Sequence, residues 1–147
     1  QCARAAAPHM RDAAKRELAA TGEVSHHRKI VNFFSTAAIH GNVGQANYAA
    51  AKMGVVGLTR SLAREWAPFR INVNCLAPGF THTRLTHFVA NGYGIPRARR
   101  EALLENLPFG RPADPMDVAK VVLFLSCSVS DWVTGQNINA SGGHQIP

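Results

Sequence analysis

With 147 residues the chain has the length of one ordinary domain, since domains run to roughly 100–200 residues, and two complete domains are excluded. Hydrophobic side chains make up 46% of it and charged ones 17%, which supplies a core and excludes a disordered chain. The net charge of +7 admits a polyanionic partner, but the basic side chains stand singly or in pairs. The densest group, Arg97, Arg99 and Arg100, is followed at once by Glu101 and Glu105, so no basic stripe marks a nucleic-acid surface. The longest apolar runs, such as 121–125, fall far short of the roughly 20 residues a membrane helix needs.

Ten basic and four acidic side chains fall in residues 1–74, where most of the excess charge sits. Gln1-Cys2-Ala3-Arg4 has neither an initiator Met nor the charged-then-apolar order of a signal peptide, and reads as the middle of a longer chain. Cys2, Cys75 and Cys127 are odd in number and far apart, which argues against a disulfide framework or zinc site and for a reducing cytoplasm. The seven histidines show no ligand spacing, so no metal is expected.

In chain order, residues 4–20 are rich in Ala, Arg, Lys and Glu and predict a helix, with Pro8 tolerated near the first turn or at a kink and Thr21-Gly22 as its end. Residues 29–34 read as a buried strand, followed by a loop over 35–44. Asn47 is a suitable N-cap for a helix over 48–67, which Pro68 stops. Ala50, Gly54, Gly57 and Ser61 give that helix one face without bulk, suited to close approach by the sheet or by another subunit. Residues 70–76 form the second strand, broken by Ala77-Pro78-Gly79. The stretch 80–112 is irregular apart from a short helix over 99–106. Asp114 then caps a helix with Pro115 at its first position and an inward-packing run over 118–125. Residues 136–140 form a third strand, ending at Gly142-Gly143.

Strands alternating with helices imply right-handed crossovers and a parallel α/β sheet, and three strands make only part of a doubly wound domain. No G-x-G-x-x-G or Walker pattern occurs to cradle phosphates. Ligands of such sheets bind beyond the carboxyl ends of the strands, where Ser35, residues 78–83 and residues 141–143 arrive. Tyr48 and Lys52, four apart, share one helix face. An ammonium beside a phenol favours the phenolate, and a phenol so tuned exchanges a proton with an alcohol oxygen, while a serine hydroxyl steadies the charge on that oxygen. On spacing alone the better reading is a surface tyrosine whose ring covers a lysine stem. For Asn32 and Asn74 the reading is structural: buried amides that satisfy loop backbone.

Ser35 and the segment Gly44-Gln45-Ala46-Asn47-Tyr48-Ala49-Ala50-Ala51-Lys52 closely resemble the active-site segment of short-chain dehydrogenases/reductases. Three further stretches match in order: 71–79 with Thr81 and Thr83, Gly110-Arg111-Pro112 with Asp117-Val118-Ala119, and Ser141-Gly142-Gly143. Within that family the chain looks most like 3-oxoacyl-(acyl-carrier-protein) reductases. The resemblance implies a Rossmann-like doubly wound parallel sheet, of which residues 1–147 carry the carboxyl-terminal catalytic part. It implies hydride exchange between NADP or NAD and a ketone or secondary alcohol, with a 3-oxoacyl thioester as one candidate. Ser35 would polarise the carbonyl, Tyr48 would act as general acid/base, and Lys52 would favour the tyrosinate and hold the nicotinamide ribose. Pro78, Gly79, Thr81 and Thr83 would line the nicotinamide, and Gln45 would face substrate. A homo-oligomer, dimer or tetramer, is implied through the helices over 4–20 and 48–67. Phe34 stands where the family carries a small residue, so a narrowed pocket or shifted strand end is expected. The family's Gly-rich turn, its NAD/NADP-selecting residue and its catalytic asparagine would precede Gln1. The alternative is a non-catalytic remnant that keeps only oligomer or partner binding.

Overall fold

The computed structural model describes residues 1–84, 86, 101–102 and 104–144. Its elements are α1 (Cys2–Thr21), β1 (Arg28–Phe33), α2 (Ala37–His40), α3 (Ala46–Trp66), β2 (Ile71–Pro78), α4 (Pro115–Ser126) and β3 (Asn137–Ala140). The strands lie in the order β1-β2-β3, all parallel, with Arg28 beside Ile71 and Cys75 beside Asn137. All three carboxyl ends therefore emerge at one end of the sheet.

Strand β2 is central and buried from Ile71 to Ala77, as a parallel strand covered on both faces must be. Its pleat sends Ile71, Val73, Cys75 and Ala77 to one face. There Ile71 and Val73 meet Ala63 and Trp66 of α3, with Ala7 and Met10 of α1 beside them, and Cys75 and Ala77 meet Phe34 and Val56. The opposite face carries Asn72, Asn74 and Leu76. Asn74 donates to the Val133 carbonyl at 2.8 Å and accepts from the Gln136 amide at 3.0 Å, so it holds the loop that leads into β3 as expected. Asn72 does the same for the carbonyls of Asp131 and Val133. Asn32 differs from expectation, since its amide donates to the Thr59 hydroxyl of α3 rather than to backbone. Asn74→Leu removes the acceptor of the Gln136 amide and one of the two donors to the Val133 carbonyl, which Asn72 still serves, and we expect it to cost about 1–2 kcal/mol in denaturant unfolding; no measurable loss would contradict this account of the loop.

The structure corrects several local expectations. Helix α1 begins at Cys2, which puts Pro8 inside its second turn, whereas its end at Gly22 is as expected: φ is 80° and the amide donates to the Leu18 carbonyl. The stretch 35–44 is not all loop, because Ala37 and Ala38 are strong helix formers and α2 forms over the carbonyls of Ser35 and Thr36. Helix α3 starts at Ala46, so Asn47 sits within the first turn; Gln45 holds the cap position, and no side chain closes it. Helix α4 has the expected Asp114 cap, completed by Asp117 into a capping box, but the apolar run does not all turn inward. Leu125 is fully buried while Leu123 is 68% exposed, since a helix presents only one stripe to a sheet. Ala50, Gly54, Gly57 and Ser61 are exposed, and a Cβ at Gly54 or Gly57 would meet no atom within 4 Å, so the sheet is not what this bare face approaches. Of the short helix over 99–106, residues 101–102 and 104–105 are helical, and Arg97, Arg99 and Arg100 lie outside the described residues. Among the described residues no helix is long and apolar enough to cross a membrane.

Candidate active site

Three segments converge at the carboxyl ends of β1, β2 and β3. The first leaves β1. The ladder with β2 continues one residue past Phe33, through the Phe34 amide to the Leu76 carbonyl at 3.0 Å. The ladder thus runs on through Phe34, whose side chain is buried against Val56, Cys75 and Ala77 and borders the cavity beyond. Ser35 follows at the mouth of that cavity. Its hydroxyl oxygen accepts the Ala37 amide at 3.3 Å, which leaves its own proton to donate.

The second segment is the turn and first half of α3. Asn42 donates to the Gln45 side chain at 3.1 Å, and both residues line the cavity together with Tyr48. Tyr48 is 42% exposed. Lys52, one turn on, is not part of the lining. Its ammonium lies 5.9 Å from the centre of the Tyr48 ring and donates to the Phe33 carbonyl at 3.1 Å, so the lysine is tethered to the strand end beside the phenol ring.

The third segment is the break after β2. The Gly79 amide donates to the Ala140 carbonyl at 3.0 Å, and a Cβ on Gly79 would fall 2.5 Å from the Ser141 Cα, so glycine is required by close approach. Thr81 then bridges to Ala113, with the His82 amide on the Ala113 carbonyl and the Ala113 amide on the Phe80 carbonyl. This ties the cavity wall to the start of α4. There Arg111 and the Asp114 amide hold the Asp117 carboxyl below its usual range. Thr83 and Thr86 exchange hydrogen bonds, their hydroxyls 3.1 Å apart.

Ser35, Gln45, Tyr48, Pro78, Gly79, Thr81 and Thr83 thus surround one cavity of about 490 Å³. Asn42, Thr86 and His144 line it too and were not singled out from the sequence; the turn residues Gly41-Asn42-Val43-Gly44 were the one signal for Asn42. Burial pushes the Cys75 thiol up from its ordinary value, and the thiol donates to Asn137, so it is a packing group and not a nucleophile. Among the described residues no group of three His, Cys, Asp or Glu side chains is placed to hold a metal ion.

A short-chain dehydrogenase family model, described as enoyl-(acyl carrier protein) reductase, matches residues 1–145. The chain belongs to the short-chain dehydrogenase/reductase family. Curated short-chain dehydrogenases/reductases similar to it include the 3-oxoacyl-(acyl-carrier-protein) reductases FabG of Thermotoga maritima, 46% identical over 114 residues, and of Pseudomonas aeruginosa, 44% identical over 115. Each match covers 78% of this chain and 44% of the relative, so the chain spans less than half the length of these enzymes. A solved structure from Agrobacterium tumefaciens, assigned as a 2-deoxy-D-gluconate 3-dehydrogenase and holding NADP, superposes with a TM-score of 0.74 at 40% identity, over 88% of this chain and 50% of that one. The sheet with its flanking helices is thus the Rossmann-like arrangement of this family.

Proposed function

We propose that residues 1–147 are the carboxyl-terminal catalytic part of an NADP(H)-dependent carbonyl reductase or alcohol dehydrogenase, with its nucleotide-binding half upstream. The observation that carries this reading is the convergence of Ser35, Tyr48 and the 78–83 wall on one cavity, with Lys52 tethered one turn behind Tyr48. The donor set fits the nicotinamide end of such a cofactor: backbone groups of Pro78 to Thr81 and the Thr83 hydroxyl for the amide, the Lys52 ammonium for ribose hydroxyls. No glycine-rich phosphate turn accompanies it in this chain. NADP is favoured over NAD by the nucleotide held in the Agrobacterium neighbour. When bound, the cofactor supplies the hydride exchanged with the carbonyl carbon.

The remaining chemistry belongs to side chains of this chain. Tyr48 gives its proton to the carbonyl oxygen in reduction and recovers it in oxidation. Ser35, its oxygen already occupied by the Ala37 amide, donates to the same carbonyl oxygen as charge develops. The Lys52 ammonium stands one turn behind Tyr48, 5.9 Å from the centre of its ring, and its bond to the Phe33 carbonyl keeps it at the strand end. Gln45, held by Asn42, offers an amide to the substrate. The family model's description concerns an enoyl thioester and the FabG names a 3-oxoacyl one; Ser35 beside Tyr48 favours a carbonyl group, and a 3-oxoacyl thioester is the substrate we propose. The three free cysteines suit a cytoplasmic setting. NADPH fluorescence should show no saturable binding to the 147-residue chain and saturable binding once the upstream half is joined; absence of binding in both would favour a remnant that serves only assembly.

We further propose a homo-oligomer, a dimer or tetramer, joined through the bare face of α3. Gly57→Ala should raise the unfolding free energy of the monomer by about 1 kcal/mol, because the new methyl meets open space in a better helix former. Gly57→Trp should shift the assembly toward monomer in sedimentation. An unchanged assembly would remove α3 from the interface.

A further inference from the structure

A second cavity, of about 220 Å³, opens at the other end of the strands from Ser35 and Tyr48. His27, Arg70, Asn72, Asp131, Trp132 and Thr134 are among its lining. Two features make it unlike an ordinary surface hollow. Trp132 is 99% exposed, whereas Trp66 is 5% exposed, and a whole indole left in water is the sort of group that anchors ligands and partners. Arg70 has a φ of 51°, a left-handed conformation that glycine takes freely and an arginine does not, so its guanidinium is held here against the backbone's preference.

The polar groups can be assigned one by one. Arg70 spends one N–H on the Val24 carbonyl at 2.7 Å, and a guanidinium has five. The Thr134 hydroxyl accepts the Val73 amide at 3.0 Å, which leaves its proton to donate. Asn72 gives its N–H groups to the carbonyls of Asp131 and Val133, so its oxygen is the acceptor for Lys29 at 3.2 Å and for His27 Nδ1 at 2.7 Å. Asp131 is paired with the largely buried Lys29 at 2.6 Å, and that ammonium holds its carboxyl below the usual range. The carboxylate is thus compensated from inside the protein, and the charge left for a ligand is that of Arg70.

We infer that this cavity binds a small aromatic carboxylate of a single ring, with the carboxylate on Arg70 and the Thr134 hydroxyl and the ring on the Trp132 indole. The volume lies below the roughly 300–1,000 Å³ of sites for larger ligands, which favours one ring over a nucleotide. An arginine fork matches a carboxylate in two parallel hydrogen bonds, and the indole face takes a planar ring. The site uses no residue of the reductase machinery and stands or falls apart from it.

The test is a titration of the 147-residue chain with sodium benzoate at constant ionic strength, read by tryptophan fluorescence and by saturation-transfer NMR on the benzoate protons. Saturable binding is expected, with cyclohexanecarboxylate weaker. Arg70→Gly suits the left-handed backbone and so should fold, yet should weaken benzoate about tenfold, the worth of a charge-assisted hydrogen bond. Trp132→Ala should abolish the saturable fluorescence change while Trp66 emission reports an intact fold. A linear, non-saturating response, or equal affinity in Arg70→Gly, would overturn the site.

Discussion

Replacing Tyr48 by Phe should lower the turnover of a 3-oxoacyl thioester by about a thousandfold in the protein that carries its upstream half. General acid/base groups typically contribute factors of about a hundred to ten thousand, and the phenylalanine removes only the hydroxyl. The ring stays, so its packing beside Lys52 is kept and circular dichroism and the melting temperature should hardly change. The effect should fall on kcat and leave the affinity for NADPH nearly intact. Ser35→Ala should act in the same direction but less, since a single donor to developing charge is worth about a hundredfold. Undiminished turnover in Tyr48→Phe would remove the proton from Tyr48 and with it the role assigned to Lys52.

Gly79→Ala should damage both stability and activity. The added methyl would sit 2.5 Å from the Ser141 Cα and 2.9 Å from its Cβ, and a backbone carbon cannot swing aside as a side-chain tip does. Strands β2 and β3 must part at their carboxyl ends, straining the Gly79 to Ala140 hydrogen bond. Such overpacking costs about 2–3 kcal/mol. The same displacement moves Pro78 and Thr81, and a misplacement near 1 Å at a reacting site costs up to about a hundredfold in rate. Gly54→Ala is the control. It meets open space within the chain and, like Gly57→Ala, should raise the unfolding free energy of the monomer by about 1 kcal/mol while sparing the cavity wall. Unfolding curves and steady-state rates for the two variants, compared side by side, decide the matter: equal behaviour would mean that the Gly79–Ser141 contact does not fix the cavity wall.

Much of this architecture is legible in the residues because local chemistry and tertiary demand agree. Asp114-Pro115 starts a helix for reasons that lie within four residues, and the capping box forms. Gly22 ends α1 because its own amide reaches back to Leu18. The run 71–77 is so apolar apart from its asparagines that a buried central strand is its natural state, and those asparagines hold a loop as their burial demands. Where the reading failed, the deciding partner was distant in sequence or the competing signals were close in strength. Asn47 is a better cap than Gln45 by propensity, yet the 42–45 turn brings Gln45 to the cap position, and no local rule weighs that turn. Spacing could place Lys52 beside Tyr48 but not its tether to the Phe33 carbonyl, which depends on how α3 lies over the sheet. The outward Leu123 follows from which stripe of α4 meets the strands, a choice made by packing. The network of His27, Lys29, Asn72 and Asp131 joins residues up to 104 positions apart and leaves no spacing to read.

The central claim is that this cavity carries a carbonyl through reduction with Tyr48 as its acid. It is tested most directly by supplying the protein, joined to its upstream half, with NADPH deuterated on the transferable position and a 3-oxoacyl thioester, and analysing the product by mass spectrometry. The account predicts one deuterium at the new carbinol carbon for each NADPH consumed. Binding of NADPH without any label reaching a ketone carbon, in this substrate or in simple ketones, would contradict it.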